Sequence, residues 1–173
     1  MMGNRVLGGK TAEKSIPWQV SLRLRLNLNG IDTISQHFCG GTILDATTIL
    51  TAAHCARTWG PMALEQSSFT VLAGSVKSSN PRQYRAVSKT IAHELYDSGV
   101  TKGKFNTVWF NEVDADFAQY DIALMKLKEP LEFNENVYPA CLPSLDTSYP
   151  SLDGKIGYAS GWGQSYWGGQ CKS

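Results

Sequence analysis

Apolar and polar residues alternate most regularly between Trp18 and Leu28, where Val20, Leu22, Leu24, Leu26 and Leu28 are separated by Ser21, Arg23, Arg25 and Asn27. A period of two is that of an extended chain burying one face, so this stretch predicts a long β-strand. Asn29-Gly30 follows, the dipeptide that best accepts the positive φ angles of a two-residue hairpin turn, and Ile31–Cys39 is the expected returning strand. Shorter runs at Thr42–Leu44, Ile49–Thr51, Phe69–Ala73, Arg82–Ile91 and Ile122–Leu127 predict further strands. Helical signal is confined to one short turn near Ala52–Arg57. Several short strands joined by glycine-bearing turns predict an all-β chain, folded as a small antiparallel barrel or sandwich.

Two stretches break this pattern. Asp97–Tyr120 mixes Gly99, Gly103, Asn106 and Asn111 with Trp109, Phe110 and Phe117, and a loop of that length inside a domain is usually functional or disordered. Thr147–Ser173 is rich in Gly, Ser and Tyr and predicts a single strand, Lys155–Ser160. There is no internal repeat and no low-complexity segment. With 173 residues, 42% hydrophobic and 18% charged, the chain falls in the globular class. Its 16 Lys+Arg against 15 Asp+Glu, without a basic block, point away from nucleic acid and from anionic membrane surfaces. No apolar run approaches the roughly 20 residues of a membrane-spanning helix.

Chemistry concentrates in two short segments. In Thr51-Ala52-Ala53-His54-Cys55, small residues allow a tight turn that presents an imidazole at a strand end, and a histidine titrating near neutrality suits general-base work. In Asp121-Ile122-Ala123-Leu124, a carboxylate opens an apolar strand, where its desolvation requires a hydrogen-bond partner. Taken singly, His54 reads better as a core histidine and Asp121 as a strand-opening turn residue. The cysteines Cys39, Cys55, Cys141 and Cys171 are open to reading as disulfides, metal ligands or buried thiols. None forms a C-x-x-C pair, and neither that spacing nor the set His37, His54 and His93 predicts a metal site.

Taken together, these segments resemble the trypsin/chymotrypsin family of serine endopeptidases. The resemblance rests on His37-Phe38-Cys39-Gly40-Gly41-Thr42-Ile43-Leu44, Ile49-Leu50-Thr51-Ala52-Ala53-His54-Cys55 and Asp121-Ile122-Ala123-Leu124. It is extended by Arg5-Val6-Leu7-Gly8-Gly9, Ile16-Pro17-Trp18-Gln19-Val20-Ser21-Leu22, Pro139-Ala140-Cys141-Leu142-Pro143 and Ser160-Gly161-Trp162-Gly163, all in the family's order. The fold implied is a chymotrypsin-like antiparallel β-barrel, with the first barrel present and the second only begun. The implied division is a remnant of an activation peptide at 1–5 and an incomplete peptidase domain at 6–173. Within that domain the first barrel covers about 16–128, a linker about 129–153, and the start of a second barrel about 154–173 by the family's layout.

By this resemblance His54 is the general base and Asp121 the carboxylate that fixes its tautomer. The family's serine nucleophile lies in Gly-Asp-Ser-Gly-Gly, and no such segment occurs in the 173 residues. Ser165 comes too early and lacks the flanking glycines. The oxyanion hole and specificity pocket belong to the same absent part, so the chain as given is expected to be inactive alone. Arg5 and Val6 match the activation cleavage, and Cys39 and Cys55 match a disulfide beneath the catalytic histidine. Cys141 matches a cysteine that often ties the domain to a propeptide, whereas Cys171 has no counterpart. Gly74–Arg85 holds no Asp or Glu, so no calcium is expected there. No cofactor and no metal is expected. The partners implied are a protein or peptide substrate, an activating protease and a protein inhibitor, with neither nucleic acid nor membrane.

The location implied is extracellular, although Met1–Arg5 has no apolar core of a secretory signal. The missing signal and the missing nucleophile together suggest a sequence trimmed at both ends. The alternative is a non-catalytic protease homologue acting as a binding or regulatory module. It is disfavoured because a first barrel without its second would expose apolar surface.

Overall fold

The computed structural model describes residues 10, 12–28, 31–56, 68–77, 82–96, 119–143 and 153–163. Its elements are β1 (Gln19–Leu28), β2 (Ile31–Ile34), β3 (Cys39–Asp45), β4 (Thr48–Thr51), α1 (Ala53–Ala56), β5 (Phe69–Ala73), β6 (Gln83–Ala92) and β7 (Ala123–Leu127). All pairings are antiparallel. The strands run in the order β2-β1-β3-β4-β7-β6-β5, and β5 returns to pair with β1. That last pairing closes six strands into a barrel and leaves β2 as a projecting ribbon, so of the barrel and sandwich that the strand pattern left open the chain forms the barrel that the family resemblance implies. Among the described residues no helix is long and apolar enough to cross a membrane.

The periodicity of β1 has a direct structural cause. Gln19–Leu22 pair with Thr42–Cys39 on one side while Val20–Leu24 pair with Ala73–Phe69 on the other. Val20 and Leu22 therefore point into the barrel and are wholly buried. They meet Ile43, Ile49, Val71, Val87 and Met125, each also at 0% exposure, one inward residue or more from every barrel strand. Phe69–Ala73 is buried at every position and reads as an unbroken apolar run with one threonine.

The returning strand is broken where one continuous strand was expected. Leu28 faces Ile31 across the hairpin, and Asn29-Gly30 itself lies outside the described residues. Between β2 and β3, Arg23 and Leu24 on one side face Ser35, Gln36, His37 and Phe38 on the other. The Leu24 N–H donates to the Ser35 hydroxyl at 2.8 Å, so a side chain takes a place the ladder carbonyl would hold. The other strands and the short helical turn lie within a residue or a few of their expected positions.

Glycine at position 41 is a matter of space. A Cβ there would sit 2.7 Å from Ile49 Cγ2 and 3.0 Å from Val20 Cγ2, so only glycine lets β3 approach the core this closely. After β7 the chain runs back along the barrel, with Leu131 N–H bonded to Ala46 C=O, Ala140 N–H to Ile43 C=O, and Val137 fully buried.

The strand expected at Lys155–Ser160 is not formed. Residues 155–161 carry no regular structure, with Ile156 90% and Tyr158 99% exposed. Extended chain becomes a strand only by pairing, and among the described residues no strand lies alongside it. The segment is instead anchored by side chains, Ser160 Oγ donating to Gln19 Oε1 at 2.9 Å and Trp162 Nε1 to Val76 C=O at 2.6 Å.

The turn from β3 to β4 is organised by Asp45. Its Oδ1 accepts from the Thr47 N–H at 2.7 Å and from the Thr47 hydroxyl at 3.0 Å. The Thr48 hydroxyl first, then the Thr47 N–H, hold the carboxyl below its ordinary value of 3.8. A lowered folded pKa adds stability that is fully present above 3.8 and is lost as the pH falls through the folded value. The advantage of the native chain over Asp45→Asn should thus be constant at neutral pH and vanish on acidification, as measured by urea unfolding at stepped pH. In the core, Ile49→Ala should cost about 2–5 kcal/mol by leaving a cavity. Gly41→Ala should cost about 1–3 kcal/mol by the opposite route, overpacking, and both are read as lowered urea midpoints at unchanged slope.

Candidate active site

The pairing of β4 with β7 decides which residues meet at one end of the barrel. Thr51 is the partner of Ala123, the last residue of one strand opposite the first of the other. In an antiparallel pair, the chain leaving β4 and the chain entering β7 therefore share one end. Residues Ala52–Ala56 come from the first and Tyr120–Ile122 from the second.

Small side chains seat α1 on that end. Ala53 is fully buried and Ala56 is 6% exposed, and the turn is closed by the Cys55 N–H bonding to the Ala52 carbonyl at 3.1 Å. The Cys39–Cys55 disulfide ties the turn to the start of β3 across a sequence separation of 16 residues. In the chain-entropy view, closing such a loop contributes about 3 kcal/mol.

Asp121 is held from its own side. The Ile122 N–H bonds to the Tyr120 carbonyl at 2.7 Å, a tight turn centred on Asp121, and the His93 N–H bonds to the Ile122 carbonyl at 2.9 Å. Tyr120 sits at φ 57°, a left-handed conformation uncommon outside glycine. Its ring stacks on that of His93, with centroids 4.8 Å apart and planes 12° apart.

These two supports bring His54 and Asp121 into a two-point contact. The His54 backbone N–H donates to Asp121 Oδ1 at 2.8 Å, and His54 Nδ1 lies 2.6 Å from Oδ2. A carboxylate only accepts, so Nδ1 carries the proton and, in the neutral ring, Nε2 presents its lone pair. The His54 side chain is 48% exposed and that of Asp121 24%. A ring so held can accept a proton at Nε2 and share the resulting charge with Asp121. An open hollow of about 450 Å³ lies beside the carboxylate, lined by Gly40, Gly41, Thr51, Asp121, Ile122 and Ser160 among others.

The remaining expected site residues divide clearly. Cys39 and Cys55 are bonded to one another, and Cys141 is an exposed free thiol. Arg5, Val6, Ser165, Cys171 and most of Asp97–Tyr120 lie outside the described residues. Among the described residues, Cys39, His54 and Cys55 place potential ligand atoms within 4.8 Å of one another. Their sulfurs are joined in a disulfide and do not offer thiolates to a metal.

Three contacts have no counterpart in the sequence. Ser21, 1% exposed on β1, places its hydroxyl 2.8 Å from His37 Nδ1, and the His37 ring meets Trp162 edge-on at 5.6 Å. Cys55 Sγ lies 3.2 Å from His54 Nε2. The alternation of β1 would turn Ser21 away from the barrel, but only the return chain covering it makes it a buried partner.

A family model described as Trypsin matches residues 6–173. With that match over nearly its whole length, and with a closed antiparallel barrel carrying His54 against Asp121 at one end, this chain belongs to the trypsin family of serine proteases.

Proposed function

We propose that His54 is the general base, and Asp121 its orienting carboxylate, of a serine endopeptidase that cleaves proteins by acyl transfer. The observation carrying this reading is the two-point contact of Asp121 with the backbone N–H and Nδ1 of His54. It fixes both the ring's orientation and its tautomer, which is what an imidazole needs to take a proton at Nε2 from a hydroxyl. Asp121 remains ionised and stabilises the imidazolium as it forms. His54 then returns the proton to the leaving amine.

The serine that would stand at Nε2 is not among the 173 residues, nor is the Gly-Asp-Ser-Gly-Gly segment that would supply oxyanion donors. The chain by itself is therefore inactive in this reading. In this reading the barrel from about 16 to 128 contributes base and carboxylate, about 129–153 is a linker, and about 154–173 is the start of a second barrel. Cleavage between Arg5 and Val6 by another protease activates the complete enzyme, and a protein inhibitor is an expected partner. The Cys39–Cys55 disulfide supports an extracellular location, where such bonds persist.

The test begins with the full transcript on both sides of this sequence. A downstream Gly-Asp-Ser-Gly-Gly and an upstream apolar leader are expected. In the complete protein, His54→Ala should lower kcat by roughly 10⁴–10⁶ and Asp121→Asn by about 10⁴. A loss below about tenfold for His54→Ala would remove the assignment. The 173-residue chain alone should leave a fluorophosphonate probe unreacted, and labelling at any serine would overturn its inactivity.

A further inference from the structure

His54 Nε2 faces a sulfur. Cys55 Sγ lies 3.2 Å away, while Nδ1 of the same ring is held at 2.6 Å by Asp121. In the oxidised chain that sulfur belongs to the Cys39–Cys55 bridge and carries no hydrogen. Contact with it becomes a hydrogen bond only when Nε2 is protonated, since neither a disulfide sulfur nor a nitrogen lone pair donates. Opening the bridge changes the chemistry of the contact. Cys55 then becomes a thiol set against an imidazole whose other nitrogen is fixed by a carboxylate, the sulfur–imidazole–carboxylate order that makes a cysteine nucleophilic.

We propose that Cys55 is a redox-gated modification site, an inert disulfide sulfur in the oxidised chain and an activated thiolate toward soft electrophiles after reduction by a dithiol. The inference does not depend on the peptidase reading, because it uses only contacts within the described barrel. The two cysteines differ in exposure, Cys39 being partly buried and Cys55 5% exposed as whole residues. A dithiol's thiolate attacks Cys39 Sγ, forms a mixed disulfide there and expels Cys55 Sγ as the leaving group. The reductant's second sulfur then displaces Cys39, closing a cyclic disulfide and completing a two-electron reduction. Of the two protons the dithiol gives up, one ends on the Cys39 thiol and the other on His54 Nε2, leaving Cys55 as a thiolate paired with an imidazolium. Asp121, acceptor of both the ring Nδ1–H and the His54 backbone N–H, stabilises that imidazolium. Burial of Cys55 opposes ionisation, and the imidazolium in contact with it favours ionisation.

An isolated thiol at neutral pH is only about a few per cent ionised, so pairing raises the reactive fraction more than tenfold, partly offset by lower intrinsic nucleophilicity. The experiment reduces the 173-residue chain with dithiothreitol, removes the reductant under inert gas and pulses with iodoacetamide. Peptide mass spectrometry then gives the alkylation rates of Cys39, Cys55 and the exposed Cys141. Cys55 should react about tenfold faster than Cys39, and His54→Phe and Asp121→Asn should each erase that difference. In Cys39→Ser, which frees Cys55 without a reductant, the same fast alkylation is expected. Equal rates at Cys55 and Cys39, or a Cys55 rate indifferent to His54→Phe, would overturn the proposal. So would loss of the far-ultraviolet β spectrum when the bridge is opened by reduction and by Cys39→Ser alike, because an unfolded barrel holds no pair.

Discussion

The register between Thr51 and Ala123 is the constraint on which the site depends. Two residues at opposite ends of short strands, 67 positions apart for His54 and Asp121, become neighbours because antiparallel pairing puts the exit of one strand beside the entrance of the other. A slip of one residue would turn Ala123, Met125 and Leu127 out of the core and carry Asp121 away from the imidazole. The barrel prevents that slip by flanking both strands, β4 by β3 and β7 by β6. Closure between β1 and β5 removes the free edges at which the sheet could otherwise shear.

Small residues and one unusual backbone angle convert this register into contact. Gly41 lets β3 press against Ile49 and Val20, and Ala53 lets the helical turn lie flat on the barrel end with its imidazole outward. Tyr120 adopts a left-handed conformation that turns the chain into Asp121, and stacking on His93 together with the bonds around Ile122 holds it there. Such conformations persist where surrounding structure over-determines them. Each device is local, and each is useful only because the barrel aligns it with the others.

The pair so formed is polar yet fully engaged. Both Asp121 oxygens accept bonds from His54, one from the main chain and one from the ring, so the carboxylate cannot rotate without losing a partner. That economy leaves Nε2 as the ring nitrogen not held by the carboxylate, on the same side as the Cys39–Cys55 bridge. The site is accordingly a place where a proton can be taken up and its charge shared, with a covalent tie supporting the turn from beneath. Family membership and barrel architecture agree with that chemistry.

Strand positions were legible in the sequence wherever burial was one-sided, because alternation records which side of a strand faces the core. Val20 and Leu22 show this, as do Ala123, Met125 and Leu127. The motif around His54 and the apolar run after Asp121 likewise marked the two residues, and through family resemblance suggested their partnership. The failures have one cause. Lys155–Ser160 has the composition of a strand but finds no neighbour among the described residues, and the break at Ser35 arises when a hydroxyl captures a ladder N–H. The approach of Cys55 Sγ to His54 Nε2 was equally hidden, since adjacent residues on a helix do not ordinarily face each other. Sequence by itself determined most strands and the core, and marked His54 and Asp121 as candidates for chemistry, because these follow from side-chain chemistry and local period. Tertiary structure alone decided which of those residues touch, because contact depends on register and barrel closure, which are properties of paired strands and of no single segment.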